Sequence, residues 1–270
     1  MKELKFNFKY LIHKKEFYFS FLILNVINII HIFLCIIQAN TFNAYREIYY
    51  SAEYQFILYN PIISFSVLLM IIIPIINSMN ISDSDFLESK RKTINMLKPR
   101  INYRKNIVVR FFLSIIITFL LCFISFLINY ISLVIIFGSG NYITYFQEAP
   151  FNLLIYKPWF LDGLRLENPV LFIIAINMLV SLMYGLLVSF AYAFSFYVKN
   201  RIVIYFIPLC YEIINELLFS LLGLNNLSIV KCLQPFSQIK CSAYVFNLLL
   251  IIFLSFILIK VHINRKELIT

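Results

Sequence analysis

The sequence predicts an all-α polytopic membrane protein with six transmembrane helices, and three observations carry that prediction. Hydrophobic residues make up 61% of the 270, charged residues 13%, and mean hydropathy is +0.86. A soluble domain averages about 45–50% apolar and about 25% charged. Apolar runs suited to a ~30 Å hydrocarbon core recur at residues 17–39, 61–78, 111–137, 169–198, 202–222 and 244–259. Finally, 18 of the 23 Lys and Arg fall in residues 1–16, 79–110, 199–201 and 260–266, and five in the alternate loops. Bases resist translocation and favour anionic inner-leaflet lipid, so both termini are expected on the cytoplasmic side. The net charge of +10 then reports topology, and no nucleic-acid partner is expected.

Residues 1–16 set Leu4, Phe8, Leu11 and Ile12 at helical spacing among lysines, the pattern of an amphipathic helix lying on the membrane surface. The first apolar run is too long for a signal-peptide core and has no small-residue cleavage site, so it is expected to stay as span one. Its Asn25, Asn28 and His31 form a ragged polar stripe. Such groups bond to neighbouring helices or line a substrate path. Residues 38–60 form a Tyr-rich outer loop suited to the interface, and Pro74 should kink span two near its inner end. The long outer segment 138–168 holds Trp159 with Pro150 and Pro158, and reads as a folded cap or short interfacial helices. Lys199, Asn200 and Arg201 make so short a turn that spans four and five must be adjacent and antiparallel.

Span five is the least ordinary. Pro208 should kink it, and Glu212 and Glu216 lie one turn apart on one face. They would attract a cation or take up a proton within the membrane, or sit at a wet outer mouth if the helix turns back. Span six, residues 244–259, is short and borders Lys260, whose stem reaches the interface. Cys35, Cys122 and Cys210 fall in spans, whereas Cys232 and Cys241 share the outer loop between spans five and six, where a disulfide between them is an option. No internal repeat divides the chain, so residues 1–270 read as one membrane domain.

The central segment 79–110 is the longest charged stretch. It opens on Asp83, Asp85 and Glu88, continues through Lys90, Arg91 and Lys92, and places Leu87, Ile94 and Leu97 on one face before Pro99. Ser82 and Asp85 stand at capping-box spacing, and the acids suit the positive end of a helix dipole. A short helix of this kind, charged at its ends with an apolar stripe, is suited to a groove on a cytoplasmic partner. The five glycines provide no GxxxxGK phosphate loop, and the chain lacks HExxH and GxSxG motifs. A catalytic role is not expected.

With these elements in view, the chain resembles the membrane subunits of ABC-2-type ABC transporters. The resemblance rests on the basic amphipathic start, the acid-rich Asp83-Ser-Asp85-Phe-Leu-Glu88, then Thr93-Ile94-Asn-Met96-Leu97, Pro99 and the basic shoulder Arg100–Lys105. A proline-bearing fifth span followed by an outer segment also fits. Four further residues, Ser89-Lys-Arg-Lys92, intervene where the family often has a small Gly-Thr step. The resemblance implies an ABC-2-type permease fold in a bacterial cell membrane. It implies a second permease, as homo- or heterodimer, and cytoplasmic ATPase subunits that bind ATP and Mg, with no cofactor in this chain. Asp83, Asp85, Leu87, Glu88, Ile94 and Leu97 would form the helix that couples to the ATPase. Asn25, Asn28, His31, Glu212 and Glu216 would lie on the translocation path. The cargo expected is an exported peptide or small amphiphile. The alternatives are a transporter-like subunit for immunity to, or sensing of, an antimicrobial peptide such as a bacteriocin, and an intramembrane enzyme using Glu212 and Glu216.

Overall fold

A computed structural model describes residues 2–41, 52–58, 65–84, 87, 103–139, 161, 164, 167–233 and 241–267. The elements are α1 (Lys2–Ile12), α2 (Lys15–Thr41), α3 (Ala52–Gln55), α4 (Phe65–Ile81), α5 (Tyr103–Phe137), α6 (Pro169–Ser195), α7 (Arg201–Leu221), a 3₁₀ turn (Asn225–Leu227), α8 (Ile229–Leu233) and α9 (Cys241–Glu267). The described residues contain no strand. Five helices, α2, α5, α6, α7 and α9, are long and apolar enough to cross a membrane. The sixth expected span, α4, has 17 residues, about 26 Å at 1.5 Å per residue, slightly under the hydrocarbon thickness.

Two boundaries differ from the sequence reading. The basic shoulder before span three is helical from Tyr103 onward, because no breaker follows Pro99 and because Asn106, Ile107 and Arg110 are buried. Span six, expected to be short, is a 27-residue helix that begins at Cys241 and carries Lys260 and Arg265 within it. Local chemistry sets other ends. Asn168 caps α6 by accepting from Leu171 N at 3.2 Å, with Pro169 at the first helical position. Gly223, at φ +68°, ends α7. Leu224 N donates to Phe219 O at 2.8 Å and Gly223 N to Ser220 O at 3.1 Å, the paired bonds of a Schellman motif. The chain therefore folds straight back over the end of α7.

The bundle is built around α6, which packs on α4, α5, α7 and α9 and is buried along most of its length. A helix apolar on all sides needs such a central place. Its approach to α5 is closest at Gly185, where an added Cβ would lie 2.7 Å from Ile115 O, the close backbone contact that small residues permit between membrane helices. Leu11 of α1, Ile81 of α4, Ile107 and Phe111 of α5, Tyr192 of α6 and Ile259 of α9 join in one cluster. The two terminal helices thus meet at the same end of the bundle.

The helix α1 lies against the start of α5. Of the apolar residues at helical spacing, Leu4 and Phe8 are exposed, while Leu11 is buried together with Asn7. Asn7 Nδ2 donates to Asn106 Oδ1 at 2.7 Å, and Arg110 Nε donates to Asn7 Oδ1 at 2.8 Å. The Arg110 guanidinium also lies 5.8 Å from the Tyr10 ring centroid. A buried amide that receives and gives a bond at once fixes α1 against α5, since leaving its partners unpaired costs about 1–3 kcal/mol. Asn7→Ala should therefore loosen α1: a cysteine at exposed Lys9 will be cleaved or labelled faster in that background than in the parent.

Candidate functional site

The strongest polar site lies at the terminal end, where the central segment leaves α4. Asp83 is fully buried and binds three partners. Lys14 Nζ is 3.2 Å from its Oδ1, Arg201 Nε is 2.5 Å from its Oδ2, and the Tyr205 hydroxyl donates to Oδ2 at 2.7 Å. Lys14 stands in the turn between α1 and α2, Arg201 opens α7, and Tyr205 follows one turn later.

Further bonds tighten the same junction. Lys14 also donates to Asn80 O at 3.1 Å, Arg201 reaches Glu16 at 3.2 Å, and the Ser20 hydroxyl lies 2.9 Å from Asn80 Oδ1. The Ser78 hydroxyl lies 3.0 Å from Tyr205 O, and the Arg201 guanidinium stacks 5.5 Å from the Tyr205 ring. One carboxylate therefore ties α2, α4 and α7 together. With its lone pairs answered by two cations and a phenol, the charge is tolerable in so dry a place.

This arrangement adds a tertiary role to the expected start of the central helix. Ser82 donates to Val188 O of α6 at 3.3 Å, and its expected capping partner Asp85 lies outside the described residues. Leu87 N donates to Asp83 O at 2.9 Å. Asp83 serves as a tertiary anchor, because the pairing with Lys14 and Arg201 outweighs any interaction with a helix dipole of about 0.3–1 kcal/mol. Leu87 is half-buried. Asp85, Glu88, Ile94 and Leu97 lie outside the described residues.

Beside the junction, Tyr197, in the turn after α6, donates to Leu258 O at 2.7 Å, and Arg265 lies 5.9 Å from its ring. Burial pushes the Tyr197 phenol above its ordinary pKa, and Arg265 pulls it back. His262 stacks on Phe196 at 4.2 Å and meets the Tyr103 hydroxyl at 3.2 Å. The beginning of α5 is thereby joined to the end of α9.

Of the residues expected along a path, Asn28 and His31 are buried and Asn25 is half-buried. Asn25 Nδ2 donates to Phe21 O of its own helix at 2.8 Å, and Asn28 Nδ2 to Ser125 O of α5 at 2.8 Å. His31 is fully buried, 3.4 Å from Asn129 Nδ2 and 3.6 Å from Cys35 Sγ. Asn28 and His31 thus show the helix-to-helix bonding pattern. It extends to the far end, where the Tyr130 hydroxyl donates to buried Glu53 at 3.0 Å.

Glu212 and Glu216 are treated differently by the fold. Glu216 is half-buried and accepts from the Ser228 hydroxyl, whereas Glu212 is 2% exposed. The turn and α8 form a lid over that end. Ile229 N donates to Asn215 Oδ1 at 2.8 Å, Asn247 Nδ2 to Leu227 O at 2.8 Å, and the Tyr244 hydroxyl to Cys232 O at 2.9 Å.

Cys232 and Cys241 are free thiols, the first buried under the lid and the second exposed. Cys232 has Asn247 Nδ2 3.7 Å from its sulfur. A polar maleimide should label Cys241 in the intact protein and Cys232 only after denaturation; equal resistance of both, reversed by reductant, would contradict this.

Sequence reasoning missed Lys14, Arg201 and Tyr205 as site residues, along with Asn7, Asn80 and Asn215. The available signal was the set of polar residues interrupting or bordering apolar runs. Among the described residues, no three His, Cys, Asp or Glu side chains gather as a metal-binding group. Compared with protein families, curated proteins and solved structures, the chain matches none.

Proposed function

We propose that the chain is the membrane subunit of an ATP-driven ABC transporter with ABC-2-type permease architecture. On this reading it has six spans in the cell membrane with both termini cytoplasmic. It pairs with a second, identical or related permease and with separately encoded ATPases that hold the ATP and Mg. It exports a peptide or small amphiphile.

The observation that supports this reading is the Asp83 junction. An ordinary connector between two spans needs no buried carboxylate fixed by two cations from distant parts of the chain. A segment that receives force needs that kind of base. Movement of residues 85–102 by an ATPase would pass through Asp83 to the α1–α2 turn and to α7 together. Net direction then follows if ATP binding favours one of two arrangements of the paired permeases.

In membranes containing this chain and its ATPase, vanadate-sensitive ATP hydrolysis should exceed that of membranes without the chain. The excess should vanish in Leu87→Asp and Leu97→Asp, which put charge on the apolar stripe. Hydrolysis unchanged by removing the chain, or by both substitutions, would sink the proposal.

A further inference from the structure

A second polar site lies deeper in the bundle, in a region the Asp83 junction does not use. Glu212 sits in the middle of α7, 2% exposed, and its Oε1 has no hydrogen-bond partner. The groups around it are also unsatisfied. The Tyr184 hydroxyl of α6 is fully buried and unbonded, with Glu212 and Cys122 in electrostatic reach. Asn77 of α4 donates to Cys122 Sγ of α5 at 3.1 Å and keeps its own Oδ1 unbonded. Asn77, Cys122, Tyr184 and Glu212 therefore form a polar seam through α4, α5, α6 and α7.

No cation answers the carboxylate among the described residues. The segment Phe65–Ile81 of α4 has no ionisable side chain, and from α6 the facing group is Tyr184. The 3₁₀ turn contains no ionisable group, and α8 carries Lys231 and Cys232, the latter committed to Asn247. On α7 itself, Arg201 is engaged by Asp83 and Glu16, Tyr205 by Asp83, and Glu216 by Ser228; Cys210 is exposed and Tyr211 carries a neutral phenol. An ionised, unpaired carboxylate in such a place costs several kcal/mol. A carboxylic acid avoids that cost.

We propose that Glu212 is a proton-binding site, loaded while α7 packs against α4 and α6 and emptied when that packing opens. The exchange is a plain proton transfer: hydronium protonates the carboxylate on closing, leaving water, and water takes the proton on opening, leaving hydronium. Glu216, one turn further along, is half-buried and bonded to Ser228. The inference holds whatever the cargo, because it depends only on burial and on the seam.

The test is infrared spectroscopy of the full chain in lipid membranes at neutral pH, in H₂O and D₂O. A protonated-carboxyl C=O band that shifts in D₂O is expected in the parent and in Glu216→Gln, and should be absent from Glu212→Gln. Glutamine is the neutral isostere, so this variant should keep the parent's thermal midpoint, which separates loss of the band from loss of fold. Absence of the band in the parent, or its survival in Glu212→Gln, would overturn the proposal. So would a metal-cation site, recognised by sodium or potassium chloride raising the thermal midpoint of the parent but not of Glu212→Gln.

Discussion

Replacing Asp83 by Ala should lower the unfolding free energy by about 3 kcal/mol, the lower end of what removing one partner of a buried ion pair costs. The lower end applies because Asp83 is 0% and Lys14 8% exposed, whereas the Arg201 side chain is 38% exposed and regains water. A thermal midpoint several degrees below the parent is the readout in detergent or nanodiscs. Lys14→Ala and Arg201→Ala should each cost less than Asp83→Ala. Their double variant should cost less than the sum, since both act through one carboxylate. Arg201→Lys should not restore the parent, because a single ammonium cannot span Asp83 and Glu16 as the guanidinium does. Additive effects of Lys14 and Arg201 would show that Asp83 does not join them.

Substitution of Gly185 should be nearly as damaging for a different reason. An alanine there would place its Cβ 2.7 Å from Ile115 O, a backbone atom that moves only if α5 and α6 separate. Overpacking of this kind costs about 1–3 kcal/mol, and Gly185→Leu should fall at or beyond the upper end. Gly138 provides the control. An added Cβ there meets nothing within 4 Å, and only its φ of +76° opposes the change, worth about 1–2 kcal/mol. Gly185→Leu should therefore depress the thermal midpoint well below Gly138→Ala; the reverse order would contradict the close approach of α6 to α5.

These two positions differ in how far the sequence exposes them. The helices were legible because long apolar runs have one stable backbone solution in hydrocarbon, and α2, α5, α6 and α7 include most of the runs read for them. Gly185 was visible as a residue but not as a contact, since its partner Ile115 belongs to another helix. Asp83 was noticed and given a local role, at the positive end of a helix. Its partners lie 69 and 118 residues away, and no local rule reaches so far. The same limit applied to Asn7, whose partners Asn106 and Arg110 lie 99 and 103 residues away. The polar stripe Asn25, Asn28 and His31 was legible as polar, and its alternatives were left open by the sequence. The bonds from Asn28 and His31 to Ser125 and Asn129 turn that stripe toward α5.

The central claim is that the segment beyond Asp83 seats an ATPase. The most direct measurement is affinity purification of the chain from its native membranes in mild detergent, with bound proteins identified by mass spectrometry and ATP hydrolysis assayed. The account predicts that a soluble ATPase travels with the intact chain and is lost from Glu88→Lys/Leu97→Asp, while that variant still folds with the parent's thermal midpoint. An intact chain that retains no ATPase and supports no hydrolysis would contradict it, leaving residues 85–102 a basic connector between two spans.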